Sequence, residues 1–359
     1  MKKVAVTLFL FLLVLTYQAQ NANACTTFTI NDQKGNIVFG RNFDFKNGCG
    51  HVSVNKKNLK KTALISASEK PLVWVSQYGS VTFNQAGKEL PYGGMNEEGL
   101  VVEEMLLPSP KSDYPSPDER FGLTSLQWIQ YQLDTAETVE DVIQSDANVR
   151  VAYASQRKKS TIHFLVSDRY GKTAVIEYIE GKMKTYQGNQ LIYPVLANNT
   201  YVDSLANANR YSIFGGKEEI PSHGEEPLER FAIAAAMVHN YSLNDNRIDY
   251  AFSVLDSVAQ SEQTGWPTQW SIVYDINALQ IYYKTANNSK IRKVALSEFD
   301  FNGNSPSLFV DIDNDVAGRS DFEEYSTQAN RDLIEKASLI PREGQEKVAT
   351  YPESIEPLY

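Results

Sequence analysis

The chain opens on Met1-Lys2-Lys3 and runs through an almost unbroken apolar stretch from Val4 to Tyr17. It then reaches the small residues Ala22-Asn23-Ala24, directly before Cys25. A short positive start, an apolar middle and an Ala-x-Ala end are the order of an export leader, and the apolar run is shorter than the ~20 residues a bilayer-spanning helix needs. Residues 1–24 are therefore expected to be a signal peptide that is removed. No later segment is apolar and long enough to span a membrane, so no stable membrane insertion is expected after cleavage. The protein is expected in the periplasm or outside the cell. Whatever folds is then built onto a chain that starts with a cysteine.

A cysteine in first place carries a thiol of pKa ~8.5 beside a free α-amine of ~7.7–8.0, so the amine can take the thiol proton near neutral pH. Nucleophile and base are then one residue. Two other chemistries fit the same position. The small residue before Cys25 suits a surface lipoprotein acylated on that sulfur, although the Leu usual three places upstream is missing. Cys25 and Cys49 are also the two cysteines of an exported chain, for which a disulfide is the default.

The segment after Cys25 reads C-T-T-F-T-I-N-D-Q-K-G-N-I-V-F-G-R-N-F-D-F. Its pattern predicts strands over Cys25–Ile30 and Asn36–Arg41, joined by a polar turn centred on Asn31 to Gly35. Such a hairpin returns Arg41 and Asp44 to the side of Cys25. A nearby arginine favours the thiolate, and a carboxylate at Asp44 suits the α-amine.

With these residues in view, C-T-x-F…G-R-N-F-D-F resembles the choloylglycine hydrolase family. Its members are N-terminal-nucleophile amidases that include bile salt hydrolases, penicillin V acylases and acyl-homoserine-lactone acylases. Matching segments continue at Gly94–Leu100, Val195–Tyr201, Glu229–Ala235 and Leu279–Thr285. The resemblance implies an α+β fold, a four-layer αββα sandwich with two antiparallel sheets. It implies Cys25 as nucleophile, Arg41 beside the thiolate, Asp44 on the amine and Asn198 as a side-chain donor to the oxyanion, with Asn199 one place away. Arg230 matches an arginine at the far side of the family's site. It implies a linear-amide hydrolase that needs no cofactor or metal and takes a small amide with an apolar acyl group.

Two departures bear on substrate. Many members carry Asn or Tyr ten places after the Asn of the N-E-x-G-L motif, and that count lands on Leu106. Its backbone N–H can still face the oxyanion, but a polar side-chain contact is lost, which weighs against the alternative of a bile salt hydrolase. The stretch between Asn198 and Arg230 is also shorter than in many bile salt hydrolases. What is missing resembles their tetramer-assembly loop, so a homo-oligomer is left open.

The remaining sequence excludes other classes. There are 34 basic against 44 acidic side chains, a poor surface for nucleic acid. Two cysteines and four histidines without metal-ligand spacing leave little for zinc. With 42% hydrophobic residues the chain can bury a large core. Strand-like runs at Thr161–Ser167, Thr173–Tyr178, Trp270–Tyr274, Leu279–Tyr283 and Lys290–Leu296 accompany helical patterns at Thr124–Leu133, Val139–Ser145, Leu228–Asn240 and Arg247–Ala259. No linker divides them, so one amidase domain is expected over 25–321. A polar C-terminal tail follows over 322–359, with one short helix near Asn330–Ala337.

Overall fold

A computed structural model describes residues 25–32, 34–154, 160–242, 246–351 and 356–357. The expected leader at 1–24 lies outside the described residues. Strands β1 (Thr26–Asn31) and β2 (Ile37–Asp44) form the hairpin expected from the sequence, with β2 continuing past Arg41 to Asp44. Turn chemistry sets its register. The Asp32 carboxylate accepts from the backbone N–H groups of Lys34 at 2.9 Å and Asn36 at 2.8 Å, and Gly35 takes a φ of +83° that disfavours an L side chain. Thr27 consequently stands opposite Arg41, and Phe28 opposite Gly40. A Cβ at Gly40 would lie 2.3 Å from the Phe28 ring, so glycine is needed for that ring to lie across β2.

The hairpin sits inside a six-stranded sheet. Its order is Val195–Leu196, β1, β2, Thr268–Asp275, Gln280–Thr285, Arg292–Ala295, every neighbour antiparallel. A nine-stranded antiparallel sheet faces it, with Val101–Leu106 near its middle between Pro91–Asn96 and Ile162–Ser167. Strands buried on both faces split their side chains by period two. Val101 and Met105 join the core between the sheets, whereas Val102 joins the outer core. Phe83 of the nine-stranded sheet meets Tyr274 of the six-stranded one edge-on at 6.3 Å, which marks the inter-sheet layer.

Helices close both outer faces. α1 (Ser125–Thr135) and α2 (Val139–Gln144) cover the nine-stranded sheet, with Trp128 against Phe164 at 4.3 Å. The Thr124 side chain accepts from the Gln127 N–H and caps α1. α3 (Tyr201–Ala208), α4 (Pro227–His239) and α5 (Arg247–Ser257) cover the other sheet, and Asn42 Nδ2 donates to the Leu255 carbonyl at 2.7 Å. The order helix, sheet, sheet, helix is the four-layer αββα sandwich.

The C-terminal stretch expected as a polar tail is folded. α6 (Thr327–Ala337) and α7 (Arg342–Thr350) pack on each other, and α6 buries Leu333, Ile334 and Ala337. Its apolar positions recur at helical spacing, so an outwardly polar segment still has one face to bury.

Candidate active site

Cys25 leads into β1 and is 4% exposed. Thr27 pairs with Leu196 and Phe28 with Val195. Carrying that antiparallel register back two places brings Cys25 opposite Asn198, 173 residues away in sequence, and the Cys25 nitrogen donates to Asn198 Oδ1 at 2.6 Å. The same oxygen accepts from Arg230 Nη2 at 3.0 Å. Arg230, buried on α4, also donates to Thr26 Oγ1 at 3.2 Å and to the Glu225 carbonyl at 2.7 Å. Asn198 Nδ2 donates to the Leu106 carbonyl at 2.8 Å.

Asp44 ends β2 and accepts at Oδ1 from Thr268 Oγ1 at 2.5 Å, while its Oδ2 is buried with no hydrogen-bond partner. On the opposite flank Arg41 is fully buried. Its Nε lies 2.8 Å from Glu103 Oε2 and its Nη2 lies 3.3 Å from Glu104 Oε1, and Nη1 has no hydrogen-bond partner. Tyr274 donates its hydroxyl to Glu103.

Burial dominates the electrostatics. It pushes the Cys25 thiol up to about 12, against the opposing pull of Arg41, with Asp44 and Glu104 adding to the rise. Burial likewise pushes Asp44 up to about 7, opposed by Arg230 and by the Thr268 hydrogen bond. Glu103 and Glu104 each rise to about 7 by burial, opposed by Arg41. Burial alone would weaken Arg41 as a cation, but Glu103, Cys25 and Glu104 hold its pKa above the ordinary value. Burial lowers that of Arg230. Burial thus favours the neutral thiol, and Arg41 favours the thiolate. Of the groups that act on Cys25, Arg41 keeps an unused donor at Nη1 and Asp44 an unused acceptor at Oδ2.

The site opens on a cavity of about 900 Å³. Phe43, Phe45, Tyr92, Tyr114 and Tyr153 supply aromatic wall, Leu106, Leu126 and Ile162 supply aliphatic wall, and Cys25, Asp44 and Glu104 also line it. Phe43 is stacked on Trp270 at 4.3 Å, which fixes the ring next to the cysteine.

Cys25, Arg41, Asp44, Asn198 and Arg230 thus converge, all buried and with Cys25 and Asp44 lining the cavity, whereas Asn199 is only half-buried. With residue 24 attached the Cys25 nitrogen is a peptide N–H and donates to Asn198, whose own amide donates to the Leu106 carbonyl. Leu106 contributes its side chain to the wall and its carbonyl to Asn198. Cys25 and Cys49 are both free thiols, and Cys49 packs against Leu333 and Ala337. Sequence reading missed Glu103, Glu104 and Thr268. Two consecutive acids inside the apolar run Leu100–Leu107 were the available signal, because buried charges need partners.

Three comparisons bear on this geometry. A model of the linear amide C–N hydrolases, choloylglycine hydrolase family, matches residues 25–309. Penicillin V acylase of Pectobacterium atrosepticum is 26% identical over 330 residues, covering 81% of this chain and 86% of that protein. The bile salt hydrolase/transferase of Lactiplantibacillus plantarum is 25% identical over 311 residues, covering 76% and 92%. Among solved structures, penicillin V acylase from Agrobacterium tumefaciens matches with a TM-score of 0.71 at 24% identity, covering 84% of this chain and 98% of that one. A variant of conjugated bile acid hydrolase from Clostridium perfringens matches with a TM-score of 0.67 at 21% identity, covering 82% and 98%. The solved structures carry the fold, and the family model carries the family.

Proposed function

The chain belongs to the choloylglycine hydrolase family of linear amide C–N hydrolases, and we propose that Cys25, freed as the first residue, is its nucleophile. The observation that carries the proposal is the pair of unsatisfied groups acting on Cys25. Arg41 Nη1 has a hydrogen to give, and Asp44 Oδ2 can accept one. While residue 24 is attached, the Cys25 nitrogen has one hydrogen, already on Asn198. Removing residues 1–24 during export turns that nitrogen into an amine, which becomes an ammonium once it takes the thiol proton. Its additional hydrogens suit Asp44, and the thiolate suits Arg41.

The reaction then runs in two halves. The Cys25 thiolate attacks the amide carbonyl, a sulfur–carbon bond forms, and the carbonyl π pair moves to oxygen. One hydrogen of Asn198 Nδ2 is on Leu106, and the second can donate to that oxyanion, an interaction worth ~2.7–4 kcal/mol in comparable sites. As the oxyanion collapses, the ammonium protonates the leaving nitrogen and the carbon–nitrogen bond breaks. Water then attacks the thioester with the amine as base, releasing the acid and restoring the thiol.

The aromatic cavity suits an apolar acyl group. A steroid hydroxyl facing Leu106 would be left unpaired, at ~1–3 kcal/mol for a buried group. Amides such as penicillin V or long-chain acyl-homoserine lactones fit better than conjugated bile salts. Side-by-side kcat/KM values on these three classes test the substrate reading, and a preference for glycocholate or taurocholate overturns it. Mass spectrometry of the mature N-terminus, with turnover by Cys25→Ala and by a chain blocked at Ala24, tests the nucleophile. Activity in either variant overturns it.

A further inference from the structure

The family match ends at residue 309, yet the cavity that holds Cys25 is also lined by Leu339, Pro341 and Glu343. These residues lie on the link between α6 and α7 and in the first turn of α7. Buried contacts hold this wall in place. Asn330, 1% exposed, donates through Nδ2 to the Ala349 carbonyl at 3.1 Å, and its Oδ1 accepts from the Lys88 N–H at 2.8 Å. Gln345 Nε2 donates to the Ile340 carbonyl at 2.9 Å, which secures the link itself. Asn47, in the loop after β2, donates to the Ala337 carbonyl at 3.4 Å and so connects the end of α6 to the strand that carries Arg41 and Asp44. Leu339 rests on the cluster of Cys49, Leu333 and Ala337. Tyr351, after α7, is buried.

We propose that the α6–α7 segment is a specificity element of the active site. Leu339 and Pro341 form the wall against which the apolar group of the amide packs, and the exposed Glu343 sets the charge at that wall's edge. The proposal rests on the reading of Cys25 as the nucleophile. A wall of this kind discriminates by size, since one methylene group in an apolar pocket changes selection by ~10–200-fold. A carboxylate at the edge disfavours an anionic substituent and leaves a neutral one unaffected. Substrate choice is then written partly in a segment that the family match does not include.

The test uses the processed chain beginning at Cys25 and a series of chloromethyl ketones, R–CO–CH2Cl, with R from methyl through octyl and benzyl on the acyl side. Each is displaced at carbon by the thiolate with loss of chloride, and mass spectrometry reads alkylation at Cys25 separately from Cys49. Leu339→Ala should raise the octyl-to-methyl rate ratio at least fivefold, and Leu339→Trp should lower it by a similar factor. Glu343→Gln should raise the rate with a carboxylate-bearing probe relative to its neutral counterpart severalfold. Thermal melts accompany each variant. Should Leu339→Ala lose its fold, Pro341→Ala and Glu343→Gln carry the same comparison. Ratios within twofold of the parent chain, in folded variants at both positions, overturn the proposal while leaving Cys25 in its role. Turnover that survives Cys25→Ala removes the underlying reading instead.

Discussion

Asn198 is where fold and chemistry meet, and replacing it by Ala tests both. Its side chain accepts from the Cys25 nitrogen at 2.6 Å and from Arg230 Nη2 at 3.0 Å, and donates to the Leu106 carbonyl at 2.8 Å. In Asn198→Ala the freed Cys25 amine can turn to Asp44, but the guanidinium N–H and the Leu106 carbonyl are left buried without this partner. An orphaned neutral group costs ~1–3 kcal/mol and a charged hydrogen bond is worth ~1.5–3, so the variant should lose about 3–5 kcal/mol. At about 2 °C for each kcal/mol in a large domain, the melting temperature should drop by about 6–10 °C. Asn198→Asp separates scaffold from catalysis. It keeps an acceptor for Cys25 and Arg230 but removes the amide hydrogens, so the oxyanion loses its donor and meets a negative charge. Its kcat should fall by ~10²–10³-fold or more, with a smaller change in melting than Asn198→Ala. The assay is a thermal melt beside steady-state hydrolysis of a linear amide, normalised to active sites titrated at Cys25. A folded Asn198→Asp enzyme with kcat within threefold of the parent refutes the donor role. An unchanged melt for Asn198→Ala refutes the hydrogen-bond accounting.

Burial holds Asp44 at about 7, so kcat/KM should fall as pH drops below 7 and Asp44 becomes unable to take the ammonium hydrogens, and a flat profile from pH 5 to 8 contradicts this. Glu104 is raised from 4.5 to about 7. Such a group contributes stability that is fully present below its unfolded pKa and is lost as pH rises through its folded one. Melting curves of Glu104→Gln between pH 4.5 and 7.5 should therefore decline less than those of the parent, and an equally steep decline sinks the assignment. Gly40→Ala would place a methyl 2.3 Å from the buried Phe28 ring, costing ~1–3 kcal/mol by overpacking, and calorimetry showing no loss rejects that contact. Cys49 donates through its sulfur to Asn47 Oδ1 at 3.2 Å. A hydroxyl can make the same bond, so Cys49→Ser should leave turnover within twofold, and its loss would give that thiol a catalytic part.

The sequence alone determined what is local. An apolar run ending in Ala22-Asn23-Ala24 singles out Cys25, and a polar turn between two period-two strands predicts a hairpin that returns Arg41 and Asp44 to it. Asp32 and Gly35 act within a few residues of one another, so their turn chemistry is readable without the fold. The four-layer architecture was legible through the family resemblance, and Asn198 and Arg230 came the same way, as positions without partners. What those side chains touch was decided by tertiary structure. The pairing of β1 with Val195–Leu196 puts Asn198 on the Cys25 nitrogen, and the stacking of two sheets puts Glu103 and Glu104 on Arg41. The C-terminal helices reach the cavity because α6 has an apolar face to bury, and the place where it docks, beside Cys49, lies at the cavity's edge. Turn and strand preferences act over a few residues, whereas these contacts depend on which distant surfaces bury one another. That choice belongs to the packed chain as a whole, and no short stretch of sequence contains it.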